Sequence, residues 1–283
     1  MQVKRWTSVL TLAAFITVGL MFSALGQEAP KAPEKMQPMA ADADPSFEVA
    51  TIKPSKPDAV VTSIPPVGYR TVLPMITVLK LVSFAYDLHN EQVVGAPQWI
   101  ASETFDFDGV SDTPGRPDVK QLKTMIQKLL IDRFQLKFHW EKRELSAYAL
   151  VLGKKGAKLD KSKEDAHGSQ TFFIKANGSA SRTLTAKNVG VTELAHMMQS
   201  NVLDRPVVDQ TRLRGAYDFV LTWAPEESQS TQDGARIPAG TDSPDAPPGI
   251  FTAIQEQLGL KLNAEKTVVD VMVIDRVEQP SPN

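Results

Sequence analysis

Two periodicities meet at residue 134. Upstream, Val119, Leu122, Ile126, Leu129 and Leu130 recur every three or four positions, with Lys120, Lys123, Gln127 and Lys128 largely opposite. That stripe predicts an amphipathic helix. Asp118, just after Pro117, is placed to cap its first turn. Downstream, Phe134, Leu136, Phe138 and Trp140 alternate with Gln135, Lys137, His139 and Glu141, the pattern of a half-buried strand. Lys142-Arg143-Glu144 reads as a polar break, and 145–152 as a second, more apolar strand ended by Gly153. The stretch predicts a helix laid on a two-stranded hairpin, a two-layer unit.

The same reading runs along the chain. Strands are expected at 47–53, 69–73, 92–94 and 104–110, with a helix at 77–87 carrying Val78, Leu81, Val82 and Ala85. A hairpin over 171–186 turns at Asn177-Gly178. A helix at 191–201, strands at 206–208 and 217–223, a helix at 250–258 capped by Gly259, and closing strands at 260–262 and 268–277 complete the set. Residues 154–170 read as a polar linker or loop, and 224–248, rich in Pro, Ser, Asp and Gly, as a disordered insert.

These elements come twice in one order: helix, short strand, strand, loop, helix, two strands. Phe105 precedes Tyr217 by 112 residues, Val93 precedes Val207 by 114, and Leu136 precedes Leu260 by 124, the insert lengthening the second copy. The expected fold is therefore α+β, with two similar helix-on-antiparallel-sheet lobes from an internal duplication, at 46–160 and 161–280.

The N-terminus changes the picture of where the protein works. Lys4 and Arg5 precede an apolar run over 7–25, and Ala24-Leu25-Gly26 offers small residues for a cut after Gly26. Residues 1–26 are thus expected to be a signal peptide, which places the mature protein in the periplasm or outside the cell. An uncleaved anchor is the alternative, since the run approaches spanning length. Residues 27–45, rich in Ala, Pro and charge, read as a disordered tether. The chain has no cysteine, so disulfides, thiol nucleophiles and thiolate metal ligands are excluded. A net charge of −2 gives no pull toward nucleic acid or an anionic membrane.

Candidate chemistry is thin. Glu193 and His196 share a helical face at a spacing that carboxylate-bridged metal sites use, but such sites need further ligands from facing helices. His139 and Glu141 share the wet face of a strand. Asp106 and Asp108 flank Phe107 and are expected to be exposed and replaceable at little cost, with Asp218 at the matching position in the second copy. Trp99, Trp140 and Trp223 could line a sugar or peptide groove, although core packing is the commoner use of an isolated Trp. The lysines over 154–163 are diluted by acids and read as a solvated loop. There is no His-Glu-x-x-His and no Gly-x-Ser-x-Gly. No catalytic, cofactor-binding or metal-ligating residue is assigned, and no cofactor is expected.

Several long stretches carry a resemblance: FEVATIKPS, FAYDL, GAPQWI before FDFDG, LLIDRFQLKFHWEKRELSAYALVL, RPVVDQTRLRGAYDFVLTW and FTAIQEQLGLKL. In these the chain resembles, over nearly all of 46–280, the soil-associated family of uncharacterised exported bacterial proteins. The resemblance implies export and a compact domain; some relatives are fused to membrane metallopeptidase sensors. The family brings no activity, so it transfers no site residue. TVLKLVSFAYDL with its following strands is also similar to the short N-terminal domain of secretins and TonB-dependent receptors, a protein-contact module. The function expected is a non-catalytic binding or interaction domain of the cell envelope, taking an envelope protein or peptide by strand addition. The alternative is an envelope hydrolase acting on carbohydrate or peptidoglycan.

Overall fold

Phe105 and Phe107 of β4 (Thr104–Ser111) point to one side of their strand and are 4% and 1% exposed, as their alternation requires. Around them the computed structural model describes residues 37–56, 70–163, 170–178, 181–225 and 247–280, all within one compact unit. The fold is α+β, with three sheets among the described residues.

In chain order the first half supplies β1 (Phe47–Pro54), β2 (Arg70–Thr77), α1 (Val78–Ala85), β3 (Val93–Val94), α2 (Trp99–Ser102), β4, α3 (Val119–Phe134) and β5 (Lys137–Leu152). The second supplies β6 (Asp160–Lys161), β7 (Thr171–Asn177), β8 (Ser181–Val189), α4 (Val191–Asn201), β9 (Val207–Asp209), β10 (Tyr217–Trp223), α5 (Ile250–Ala253), continued by a wider helical turn over Ile254–Leu258, and β11 (Leu260–Arg276). Two sheets, β1-β4-β2 and β6-β10-β8-β7, each stay within one half. The third, β3-β11-β5-β9, draws two strands from each, so the lobes expected at 46–160 and 161–280 share a sheet.

That shared sheet corrects the expected hairpin. Lys142-Arg143-Glu144 does not break β5, which runs unbroken for 16 residues, and the closing strands 260–262 and 268–277 are one strand of 17. The two pair antiparallel from Leu260↔Leu152 to Arg276↔Lys137. The polar triplet is where this ribbon crosses between two cores. At one end Met272 and Ile274 join Phe105, Phe107, Ile126, Leu130 and Phe134. At the other Tyr148, Leu150, Leu260 and Leu262 join Leu184, Leu194, Leu221, Trp223 and Ile250. Between the ends one face of the ribbon is wet, where Lys142 Nζ reaches Asp270 Oδ1 at 2.8 Å across the ladder, while the other buries Ala147, Val269 and Val271 in a third, smaller cluster. Long-range pairing thus overrides a local turn signal, because the partner strand satisfies the backbone that a turn would otherwise free.

Smaller differences have local causes. The buried stripe of α3 contains Gln121 and Met125, whereas Val119 is 38% exposed. Gln121 is buried because it closes a capping box with Asp118 and its Nε2 donates to Ala40 O at 2.7 Å. That bond also docks part of the expected tether: Met39 is 6% exposed and Lys128 Nζ meets Asp44 and Ser46. Short β6, inside the expected linker, pairs with β10. The remainder of the tether, the signal segment and most of the expected insert lie outside the described residues. No helix among the described residues is long and apolar enough to cross a membrane.

Candidate functional site

The acidic residues of β4 and β10 are the first candidates, and their environment is structural. β4 is the central strand of its sheet, not an edge. Asp106 Oδ1 accepts the backbone N–H of Met75 at 3.0 Å and the Ser55 hydroxyl at 2.7 Å. Met75 has φ 51° where the β2–β4 register shifts, so the carboxylate holds a strained bulge. Asp218 does the same for Asn188, at φ 56° and 2.8 Å, where β8 slips against β10. Asp108 is paired with Arg70, whose Nε lies at 2.7 Å and whose guanidinium holds the carboxyl below the usual range. The expectation of cheaply replaceable acids is therefore corrected for Asp106 and Asp218, each of which holds a bulge N–H, whereas Asp108 lies at the surface in an exposed pair with Arg70.

His139 and Glu141 do meet, on the outer face of the ribbon. His139 Nδ1 lies 2.9 Å from Asp275 Oδ1, and its Nε2 lies 3.3 Å from Glu141 Oε1. Arg143 closes the chain at 2.9 Å from Glu141 Oε2. The two carboxylates push the His139 pKa up, and Arg143, then His139, push that of Glu141 down. Each of these side chains is about half exposed. A histidine bridging two carboxylates is a proton-handling arrangement in a closed cleft; here it is a surface chain that ties β5 to β11.

His196 reaches the first half of the chain. Its Nδ1 lies 3.7 Å from Asp87 Oδ1, and Lys123 is bonded to the same oxygen. Gln199, 4% exposed, donates to Asp87 O at 2.7 Å and accepts Val207 N at 2.9 Å. Burial lowers the His196 pKa against the pull of Asp87. Sequence reasoning missed this junction because Asp87, Lys123 and His196 lie on three separate elements. No group of three or more His, Asp or Glu side chains among the described residues is arranged to hold a metal.

The tryptophans do not converge. Trp99 sits edge-on to Phe105 at 6.4 Å, Trp140 edge-on to Phe138 at 5.7 Å, and Trp223 is 1% exposed inside the second core. Lys154, Lys155, Lys158, Lys161 and Lys163 are exposed, as expected of a loop.

The most distinctive surface is made by backbone. Residues along an antiparallel pair alternately aim N–H and C=O at the partner and away from it. Tyr148 N bonds Pro206 O, Gln210 N bonds Leu150 O, and Asp270 O accepts from Gln92, so even-numbered positions of β5 and β11 face outward. The outer neighbours are short: β9 covers only Tyr148–Leu150, and β3 only Met272–Val273. Lys142, Glu144 and Ser146 on one edge, and Ala264, Lys266 and Val268 on the other, have no strand beside them among the described residues. Beside the second edge a shallow groove of about 190 Å³ is lined by Phe251, Thr252, Gln255, Glu256, Lys261 and Leu262. Its only sequence signal is Phe251, exposed on a helix that is otherwise patterned.

A family profile described as Protein of unknown function (DUF3738) matches residues 79–277. It starts inside α1 and covers the shared sheet, the second core and both open edges, while β1 and β2, which contribute to the first core, lie before it. No curated protein and no solved structure matches the chain.

Proposed function

The chain belongs to the DUF3738 family of proteins of unknown function, and from that premise we propose that it is an exported, non-catalytic domain of the cell envelope that binds extended polypeptide by strand addition. One observation carries the reading: among the described residues a long central ribbon has outward-facing backbone groups with no strand beside them on both edges, at Lys142–Ser146 and Ala264–Val268. Unpaired N–H and C=O groups in a row are a template for another strand. The internal duplication read from the sequence accords with it, since β5 and β11 each carry one such edge. Export rests on the segment ending at Gly26.

Two measurements test this. Synthetic peptides tiled from envelope proteins, titrated against the mature chain, should include saturable binders that are not cleaved. Turnover of peptidoglycan or polysaccharide, abolished in a folded His139→Ala variant, would replace the reading with an envelope hydrolase. Mass spectrometry of the mature protein should find Gln27 at the N-terminus; an intact Met1 in the cytosolic fraction contradicts export.

A further inference from the structure

We propose that the preferred ligand is an extended segment of a partner protein that adds to the outer edge of β11 between Leu262 and Val268 and seats an apolar side chain in the groove beside α5. This rests on the binding reading above and names its site and the chemistry of its ligand.

The two open edges are not equivalent. The β5 edge presents Trp140, Lys142, Glu144 and Ser146, and Lys142 is already engaged by Asp270. Charges on an edge discourage strand addition. Over Leu262–Val268 β11 carries only Glu265 and Lys266, two charges in seven residues against four in seven over Trp140–Ser146, and Val268 is 58% exposed. Among the described residues a groove lies where α5 meets this strand. Its lining combines Phe251, Thr252, Gln255 and Glu256 of the helical segment with Lys261 and Leu262 of β11. Leu262, 7% exposed, is its floor, and Phe251, 37% exposed, is its wall. Phe251 is held there edge-on to Tyr148 at 5.3 Å. A strand added here meets backbone groups and a half-open aromatic wall together, so the occupant is extended chain with a side chain pointing at the helix.

Strand geometry then sets the ligand's spacing. Leu262 and Lys266 lie on the same face, four residues apart, because side chains alternate. The described ion pairs leave Lys266 without an acid partner. A residue opposite Leu262 enters the groove, and the residue four positions along lies opposite Lys266. The ligand is therefore an extended segment with an apolar residue and a carboxylate four apart.

The test is selection of random heptapeptides displayed on phage against the immobilised mature chain. Enriched sequences, made as synthetic peptides, are then titrated by fluorescence anisotropy. Enrichment should pair an apolar residue with Asp or Glu four positions away. Three variants locate the site. Ala264→Pro deletes an N–H that faces the ligand but no bond to β5. Phe251→Asp spoils the groove wall, and Lys266→Glu repels the carboxylate. Each should weaken binding about tenfold, the scale of one lost hydrogen bond or apolar contact, with unchanged circular dichroism. If Ala264→Pro unfolds the protein, the other two variants decide. Enriched peptides that bind all three variants like the parent overturn this site but leave the binding reading. Failure to enrich any peptide overturns both. Self-association seen by sedimentation and lost in Ala264→Pro would make a second copy the occupant, and overturn the partner assignment.

Discussion

Asp218 Oδ1 accepts the backbone N–H of Asn188 at 2.8 Å, and Asn188 is held there at φ 56° with its residue buried. Asp106 stands to Met75 in the same way. A positive φ at a non-glycine residue is strained, so the carboxylate's hydrogen bond fixes a conformation the chain would otherwise leave. Asp106→Ala and Asp218→Ala are each expected to cost about 1–3 kcal/mol, the range for an orphaned donor in a partly buried site. Chemical denaturation measures this. Losses within about 0.5 kcal/mol, the usual size for a surface change, would contradict the bulge-holding role.

Phe107 is, with Phe134, one of the largest fully buried side chains of the first core. It is 1% exposed and meets Phe47 edge-on at 5.0 Å. Phe107→Ala should lose about 3–5 kcal/mol. Gly109 is there because the two rings leave no room: an added Cβ would lie 2.6 Å from Phe107 Cζ and from Phe47 Cδ1. Gly109→Ala should therefore destabilise by about 1–3 kcal/mol through overpacking, and Phe107→Leu should relieve part of that in the double variant. Equal loss with and without the ring would refute the steric account.

The histidines titrate in opposite senses. Donating to Asp275, then to Glu141, raises the folded pKa of His139 above 6.5. Its contribution is full below pH 6.5 and is lost as pH rises through the folded value. Burial lowers the pKa of His196 and of His89, against Asp87, Glu193 and Asp209 for the first and Glu91, Asp204 and the Leu203 carbonyl for the second; Lys123 adds to the lowering at His196. For these two the unfolded chain binds the proton more readily, so stability falls as pH drops below 6.5 toward their folded values. Imidazole NMR titration should place His139 above 6.5 and His89 and His196 below it. A His139 midpoint at or below 6.5 would contradict the carboxylate bridge.

Gly259, between the helical turn and β11, has φ +66°, and a Cβ there would lie 2.1 Å from Gly156 O. Gly259→Ala should cost more than about 1 kcal/mol, since it meets both backbone strain and a fixed carbonyl. A thermal midpoint unchanged from the parent would show that the 156–158 turn moves aside.

Much of this was legible because local pattern and tertiary role agree. Tyr217–Trp223 and Val191–Asn201 have the predicted bounds, and Phe105 and Phe107 face the core as their alternation demands. Legibility failed where distant partners decide. Lys142-Arg143-Glu144 reads as a turn until β11 lies beside it, and Asp106 reads as a surface acid until Met75 slips out of register against its strand. The open edges follow from which strands stop short, β3 and β9, and no residue type signals that. Asp87, Lys123 and His196 come from separate elements, so no spacing announces them.

The central claim is that the outer edges of the ribbon are open, and amide hydrogen exchange of the unliganded chain tests it residue by residue. Along β11 the inward amides of Asn263, Glu265, Thr267 and Val269 bond β5, whereas the outward amides of Ala264, Lys266 and Val268 have no strand beside them among the described residues. On β5, Arg143 and Leu145 should be protected, and Lys142, Glu144 and Ser146 should not. The account predicts this alternation, with slow odd positions and fast even ones, and its loss at Ala264, Lys266 and Val268 when a selected peptide is added. Uniform protection across residues 263–269 in the unliganded chain would mean the edge is already covered, and would contradict the account.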